Sequence, residues 1–113
     1  MVSARNIVKP CATAASIGLG KFRFKCECII DGVPVNPVLP PRFDDTANEI
    51  RPDRHLAWWG VPFVVTHTDK GTRRFVVRCL DGGAWDRSTW WGEFPTVQAA
   101  VALAKKKTPP WRQ

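Results

Sequence analysis

Lys21 to Ile30 alternate with a period of two, Phe22, Phe24, Cys26, Cys28 and Ile30 falling on one side and Arg23, Lys25 and Glu27 on the other. A helix would scatter those rings around its circumference, whereas a strand gathers them on one face. The chain must therefore supply a sheet for a half-buried strand. Asp31-Gly32 then suits a tight turn, and Val33-Pro34-Val35 returns briefly, its prolines confining it to an edge.

Residues 36–53 hold Pro37, Pro40, Pro41 and Pro52 with Asp44, Asp45 and Asn48, too many breakers for an interior element. This is the expected loop, ordered if Phe43 and Ile50 pack back. From Gly60 to Thr68, Val61, Phe63, Val65 and His67 share one side of a strand. Thr68 to Thr72 form a hairpin loop with Gly71 at a bulge, Arg73 to Leu80 return, and Asp81-Gly82-Gly83 open onto a third strand over 84–91.

Thr96 to Lys107 switch to helical spacing, with Thr96 as N-cap and Val97, Ala100, Val101 and Ala104 as the apolar stripe. Lys105 to Lys107 sit where the carbonyl end of a helix favours cations, and Pro109-Pro110 end it. Residues 1–20 lack a sustained period and read as an irregular lead-in.

With 113 residues and 44% hydrophobic content, the chain has room for one core. The expected fold is α+β: an antiparallel sheet, made of an N-terminal hairpin and a three-stranded meander, with one C-terminal helix. The domain spans 21–107, with the Pro-rich loop at 36–53 and a tail at 108–113. Whether the hairpin extends the meander or covers its open face is undetermined from sequence, and the oligomeric state is equally open.

Uncharged stretches are too short or too broken to span a bilayer, so no membrane partner is expected. The first twenty residues make a poor secretory core, which points to a cytoplasmic address. Cys11, Cys26, Cys28 and Cys79 are then expected as free thiols, Cys26 and Cys79 in strand interiors. The Cys26-Glu27-Cys28 spacing lacks the two-residue turn of a zinc knuckle, so no metal and no cofactor are expected.

Enzyme signatures are sparse, since only His55 and His67 could act as near-neutral bases and no glycine-rich phosphate cradle is present. No catalytic residue is assigned. The basic residues say more: of a net charge of +7, Lys70, Arg73, Arg74, Arg78 and Arg87 belong to the meander, with Trp85, Trp90 and Trp91 among them. Guanidinium groups meet phosphates or base edges while indoles offer stacking, so these arginines, Lys70 and Trp90 are candidate nucleic-acid contacts. Solvated strand arginines and core tryptophans are the plainer explanation of the same residues.

Arg73 to Arg78 together with Trp90-Trp91-Gly92-Glu93-Phe94-Pro95-Thr96-Val97-Gln98-Ala99-Ala100 resemble the AP2 and integrase amino-terminal DNA-binding domains. There, a three-stranded sheet precedes a W-x-G-x-F-x-T segment and an alanine-rich helix. The resemblance covers less than half the chain. It implies that the sheet face away from the helix enters the DNA major groove and that Trp90 faces the DNA. Ser88 stands where that family usually has an arginine. The expected function is a small non-catalytic binding protein that uses a basic aromatic sheet for nucleic acid. A protein-interaction or scaffold role and a small histidine-dependent hydrolase are the alternatives.

Overall fold

The computed structural model describes residues 15–107. They form six strands in a single sheet ordered as in sequence: β1 (Ala15–Leu19), β2 (Phe22–Ile30), β3 (Val33–Pro37), β4 (Phe63–Asp69), β5 (Thr72–Cys79) and β6 (Thr89–Phe94). Helix α1 (Asp53–Leu56) lies between β3 and β4, and α2 (Val97–Lys107) follows β6. The α+β architecture is as read from the sequence. The sheet is mixed rather than wholly antiparallel, because β3 and β4 run parallel while every other neighbour pair is antiparallel.

Three two-residue turns fix the hairpin registers. Gly20 takes a positive φ between β1 and β2, and Asp31-Gly32 and Lys70-Gly71 each place both residues there. Such turns match the right-handed twist of the strands they join. The Lys70-Gly71 turn corrects the expected bulged loop, since Asp69 pairs directly with Thr72. Strand β1 corrects the irregular lead-in over residues 15–19: Ala15, Ile17 and Leu19 alternate with Ser16 and Gly18, and Gly20 belongs to the turn that follows. Residues 1–14 and the tail at 108–113 lie outside the described residues.

The parallel seam is short. Val35 opposite Val64 is its one registered pair. Beside it Asn36, at φ 52°, replaces main chain with side chain. Its Oδ1 accepts from the Thr66 N–H at 2.8 Å, and its Nδ2 donates to Thr66 Oγ1 at 2.9 Å and Glu27 Oε1 at 2.6 Å. Asparagine tolerates the left-handed conformation better than most residues.

One core lies under α2. Cys28, Val33, Val35, Val64 and Val77 meet Ala100, Val101 and Ala104, with Phe75, Trp91 and Phe94 packed around them. The expected stripe is thus the buried face of the helix, and Thr96 Oγ1 accepts from the Ala99 N–H at 3.2 Å as its cap. Small residues let the helix lie close: a Cβ on Gly92 would sit 3.1 Å from Leu103 Cδ2.

The second core lies between sheet and crossover, where Phe43, Trp58, Phe63 and Leu80 pack with Leu19 and Val61. The 36–53 region is therefore not structureless: a 3-10 turn at Asn48–Ile50 and the start of α1 fall within it. Phe43 packs back as expected. Ile50 does not, being 73% exposed. The Phe24 ring, 5.2 Å from that of Trp58, joins the first hairpin to this second core, while Cys28 farther along β2 belongs to the first.

Cys26 and Cys79 are both buried and neither is in a disulfide, and burial raises the pKa of Cys26. Cys28 is disulfide-bonded, a departure from the expectation of free thiols. Four cysteines permit pairing, and spacing carries no redox information. No helix among the described residues is long and apolar enough to cross a membrane.

Candidate ligand-binding face

The N-terminal hairpin extends the sheet beside β4. On the face opposite α2 the crossover packs over Phe63, and the remainder of that face on β4, β5 and β6 stays open. A groove of about 370 Å³ runs over it. Val65 and Val76 contribute apolar lining, and His67, Asp69, Arg78, Trp90 and Glu93 supply the rest. Trp90 is 57% exposed.

A β-bulge puts Trp90 there. Val77 pairs with Gly92 but Arg78 pairs with Trp90, so Trp91 is an extra residue on β6. Regular pairing would have set Trp91 opposite Arg78 and turned Trp90 toward the helix. With the bulge, Trp90 stands beside Arg78 and Trp91 packs against the helix-side core. The Trp91 indole donates to Asp81 Oδ2 at 2.9 Å, and Lys107 Nζ lies 5.2 Å from the centre of its ring system. Burial pushes the Asp81 carboxyl up, but hydrogen bonds from Thr89, the Gly83 N–H and Trp91 outweigh it and hold the pKa below the usual value.

The six candidate residues do not converge. Arg74, Arg78 and Trp90 share the open face; Arg73 alternates with Arg74 and falls on the side of Phe75 and Val77. Lys70 occupies the turn between β4 and β5, and Arg87, in the loop before β6, pairs with Asp86 at 3.1 Å. The strand expected over 84–91 begins only at Thr89, because 81–88 fold as a loop whose backbone meets the crossover: the Thr46 and Asn48 N–H groups donate to the Asp86 and Trp85 carbonyls.

Both arginines on the open face have partners. Arg74 Nε donates to Glu93 Oε2 at 3.0 Å. Arg78 Nε donates to Ser88 Oγ at 2.8 Å and its Nη2 to the Ser88 carbonyl at 2.8 Å. Ser88, buried, donates its hydroxyl to Asp44 Oδ1 at 2.8 Å, and its N–H donates to the same oxygen. Ser88 is thus a strut between β5 and the crossover. Asp69 and Glu93 balance Arg74 and Arg78, so this face is aromatic and charge-balanced rather than basic.

His55 and His67 stand in opposite situations. His55 is buried between Arg51, whose Nη1 lies 3.0 Å from Nδ1, and the Pro41 carbonyl, 3.1 Å from Nε2. A guanidinium only donates, so Nδ1 accepts and Nε2 carries the proton. Burial, with Arg51 and Arg54 nearby, lowers the His55 pKa despite the Pro41 carbonyl. His67 is exposed in the groove beside Asp69, but no serine, threonine or cysteine lines that groove. It therefore offers a base without a side-chain nucleophile. No group of three or more histidine, cysteine or acidic side chains among the described residues could hold a metal ion. No protein-family model, curated protein or solved structure matches the chain.

Proposed function

We propose that the protein is a non-catalytic binding module that engages a partner protein through the open face of β4, β5 and β6, with Trp90 as the anchor. The observation that carries this reading is an indole 57% exposed on a charge-balanced groove with an apolar lining. Exposed tryptophans surrounded by paired polar groups suit protein recognition, where one aromatic anchor commonly supplies a large share of the binding energy. Trp90→Ala is expected to weaken binding of the purified partner by ~2 kcal/mol or more while leaving the fold intact. Capture on wild-type and Trp90→Ala baits, then isotherms with the recovered protein, checks this; equal affinity for both baits removes the face from consideration.

Nucleic acid is the second reading, favoured by Trp90 beside Arg78 and His67. It ranks lower because Glu93 and Ser88 engage the two arginines. If it holds, duplex DNA binding by an Arg74→Ala/Arg78→Ala variant loses ~0.9 unit of log-log salt slope per lost phosphate contact.

A further inference from the structure

A second groove, of about 410 Å³, lies between the N-terminal half of β2 and the start of the crossover, with Lys25, Pro41 and Arg54 in its lining. His55 ties its wall to the interior: Nε2 holds the Pro41 carbonyl at 3.1 Å, and Nδ1 accepts from Arg51 Nη1 at 3.0 Å. Arg51, only 6% exposed, reaches onward, donating from Nη1 to the Phe43 carbonyl at 2.7 Å and from Nε to Asn48 Oδ1 at 2.8 Å. Next to Phe43 in sequence, Asp44 accepts from the N–H and hydroxyl of Ser88, which in turn accepts both bonds from Arg78. Arg78 is the register partner of Trp90. Hydrogen bonds and one peptide link therefore join His55 to the open face.

Protonating Nδ1 turns its lone pair into an N–H and sets two donors against each other, because a guanidinium only donates and stays charged. The surrounding charges do not relieve that contact. Arg51 and Arg54 face the ring with positive charge, Asp53 lies 4.0 Å from Lys21, and the Asp44 and Asp86 carboxylates act on Arg51. The Nε2–H donates to Pro41 in either state, so the ring keeps that side and the break falls on Arg51. Arg51 Nη2 is buried without a partner among the described residues, which leaves Nε and Nη1 alone to seat the guanidinium.

We propose that His55 is an acid-sensitive latch on the Trp90 face: its protonation unseats Arg51, the Phe43–Asp44 segment shifts, and Ser88 and Arg78 lose their fixed positions. The latch regulates the binding surface proposed above and rests on that reading.

Nitrogen-15 NMR of the full chain from pH ~7.5 to ~5, a range that spans histidine protonation, tests this. A His67→Gln background is used because His67 lines the groove itself. The Trp90 indole N–H and Arg78 Nε–H resonances should move along the titration curve of the His55 ring, with a midpoint below ~6.5. The Ala100 and Val101 amides, in the core under α2, should stay in place. His55→Gln, whose amide keeps a donor and an acceptor without titrating, should remove the movement. Ser88→Ala should leave the His55 curve intact and remove the movement at Arg78 and Trp90. Either variant decides if the other does not fold. The latch is overturned if the face resonances stay flat while His55 titrates, or if their curve survives in the folded His55→Gln or Ser88→Ala protein. Equal movement of the Ala100 and Val101 amides also overturns it, as general loosening rather than a local release. A flat response counts against the latch alone, whereas equal partner affinity of the wild-type and Trp90→Ala baits counts against the binding reading.

Discussion

The open face of the meander and the groove beside β2 differ in what their cations touch. On the meander Arg74 is held by Glu93 and Arg78 by Ser88; beside β2, Lys25 and Arg54 have no ion-pair partner among the described residues. Of the five meander cations among the six candidates, Arg74 and Arg87 are in ion pairs and Arg78 bonds Ser88, while Lys70 and Arg73 form no ion pair among the described residues. The difference teaches that counting arginines locates a basic region without locating a basic surface.

The largest effect tests what supports the two regions. Trp58 is fully buried, its ring system in contact with Phe24, Phe43 and Phe63. Trp58→Ala should cost ~3–5 kcal/mol in chemical denaturation. A loss below ~1 kcal/mol would mean that the crossover does not anchor the first hairpin. Asn36→Ala comes next at ~1–3 kcal/mol, because it leaves the part-buried Thr66 N–H without its acceptor. Asn36→Gly, which tolerates the positive φ but also lacks the acceptor, separates the hydrogen bond from the backbone strain that Ala adds.

Charge removal sharpens the contrast. Arg78→Ala should destabilise by ~1 kcal/mol through loss of its Ser88 bonds, whereas Lys25→Ala should stay within ~0.5 kcal/mol of wild type. Equal costs in parallel melts would erase the distinction. Smaller still is the Arg74–Glu93 pair, about one third exposed on each side, for which a double-mutant cycle should return ~0.2–1 kcal/mol.

Acid should act on the crossover through His55. Its folded pKa lies below the unfolded value of about 6.5, so the unfolded chain takes up its proton first. Stability is then fully present above ~6.5 and falls as pH drops from there toward the folded pKa. Denaturation midpoints at pH values on either side of 6.5 should show the drop, and His55→Gln should reduce it; an equal drop in the variant assigns the effect to other groups.

Elements with local periodicity were legible in the sequence: the Phe22 alternation, the Asp31-Gly32 turn, the Thr96 cap and the alanine-bearing helix stripe. Neighbours on a strand such as Trp90 and Trp91 take opposite faces, but the bulge that decides which goes where depends on β5 as well as β6. Strand β1 escaped because Gly18 and Gly20 suggest helix termination as readily as a strand and its turn. The parallel seam and the partners of Arg74 and Arg78 escaped for a common reason. They depend on residues brought together across the sheet: Val35 with Val64, Arg74 with Glu93, and Asp44 with Ser88.

The seam at Asn36 has a bearing on cooperativity. Backbone pairing is dense within the first three strands and within the last three, but between the two sets it reduces to one registered pair reinforced by an amide side chain. The remaining links are side-chain packing, Trp58 against both Phe24 and Phe63 on one side and α2 under Val35 and Val64 on the other. Hydrogen exchange should then divide the chain along this line, with main-chain amides in the two strand sets protected as separate units whose joint opening is set by rings and methyl groups. The two grooves lie on opposite sides of that boundary. A change at one reaches the other only as far as those side chains and the hydrogen bonds from His55 to Arg78 transmit it, which makes the Asn36 and Trp58 variants probes of communication as well as of stability.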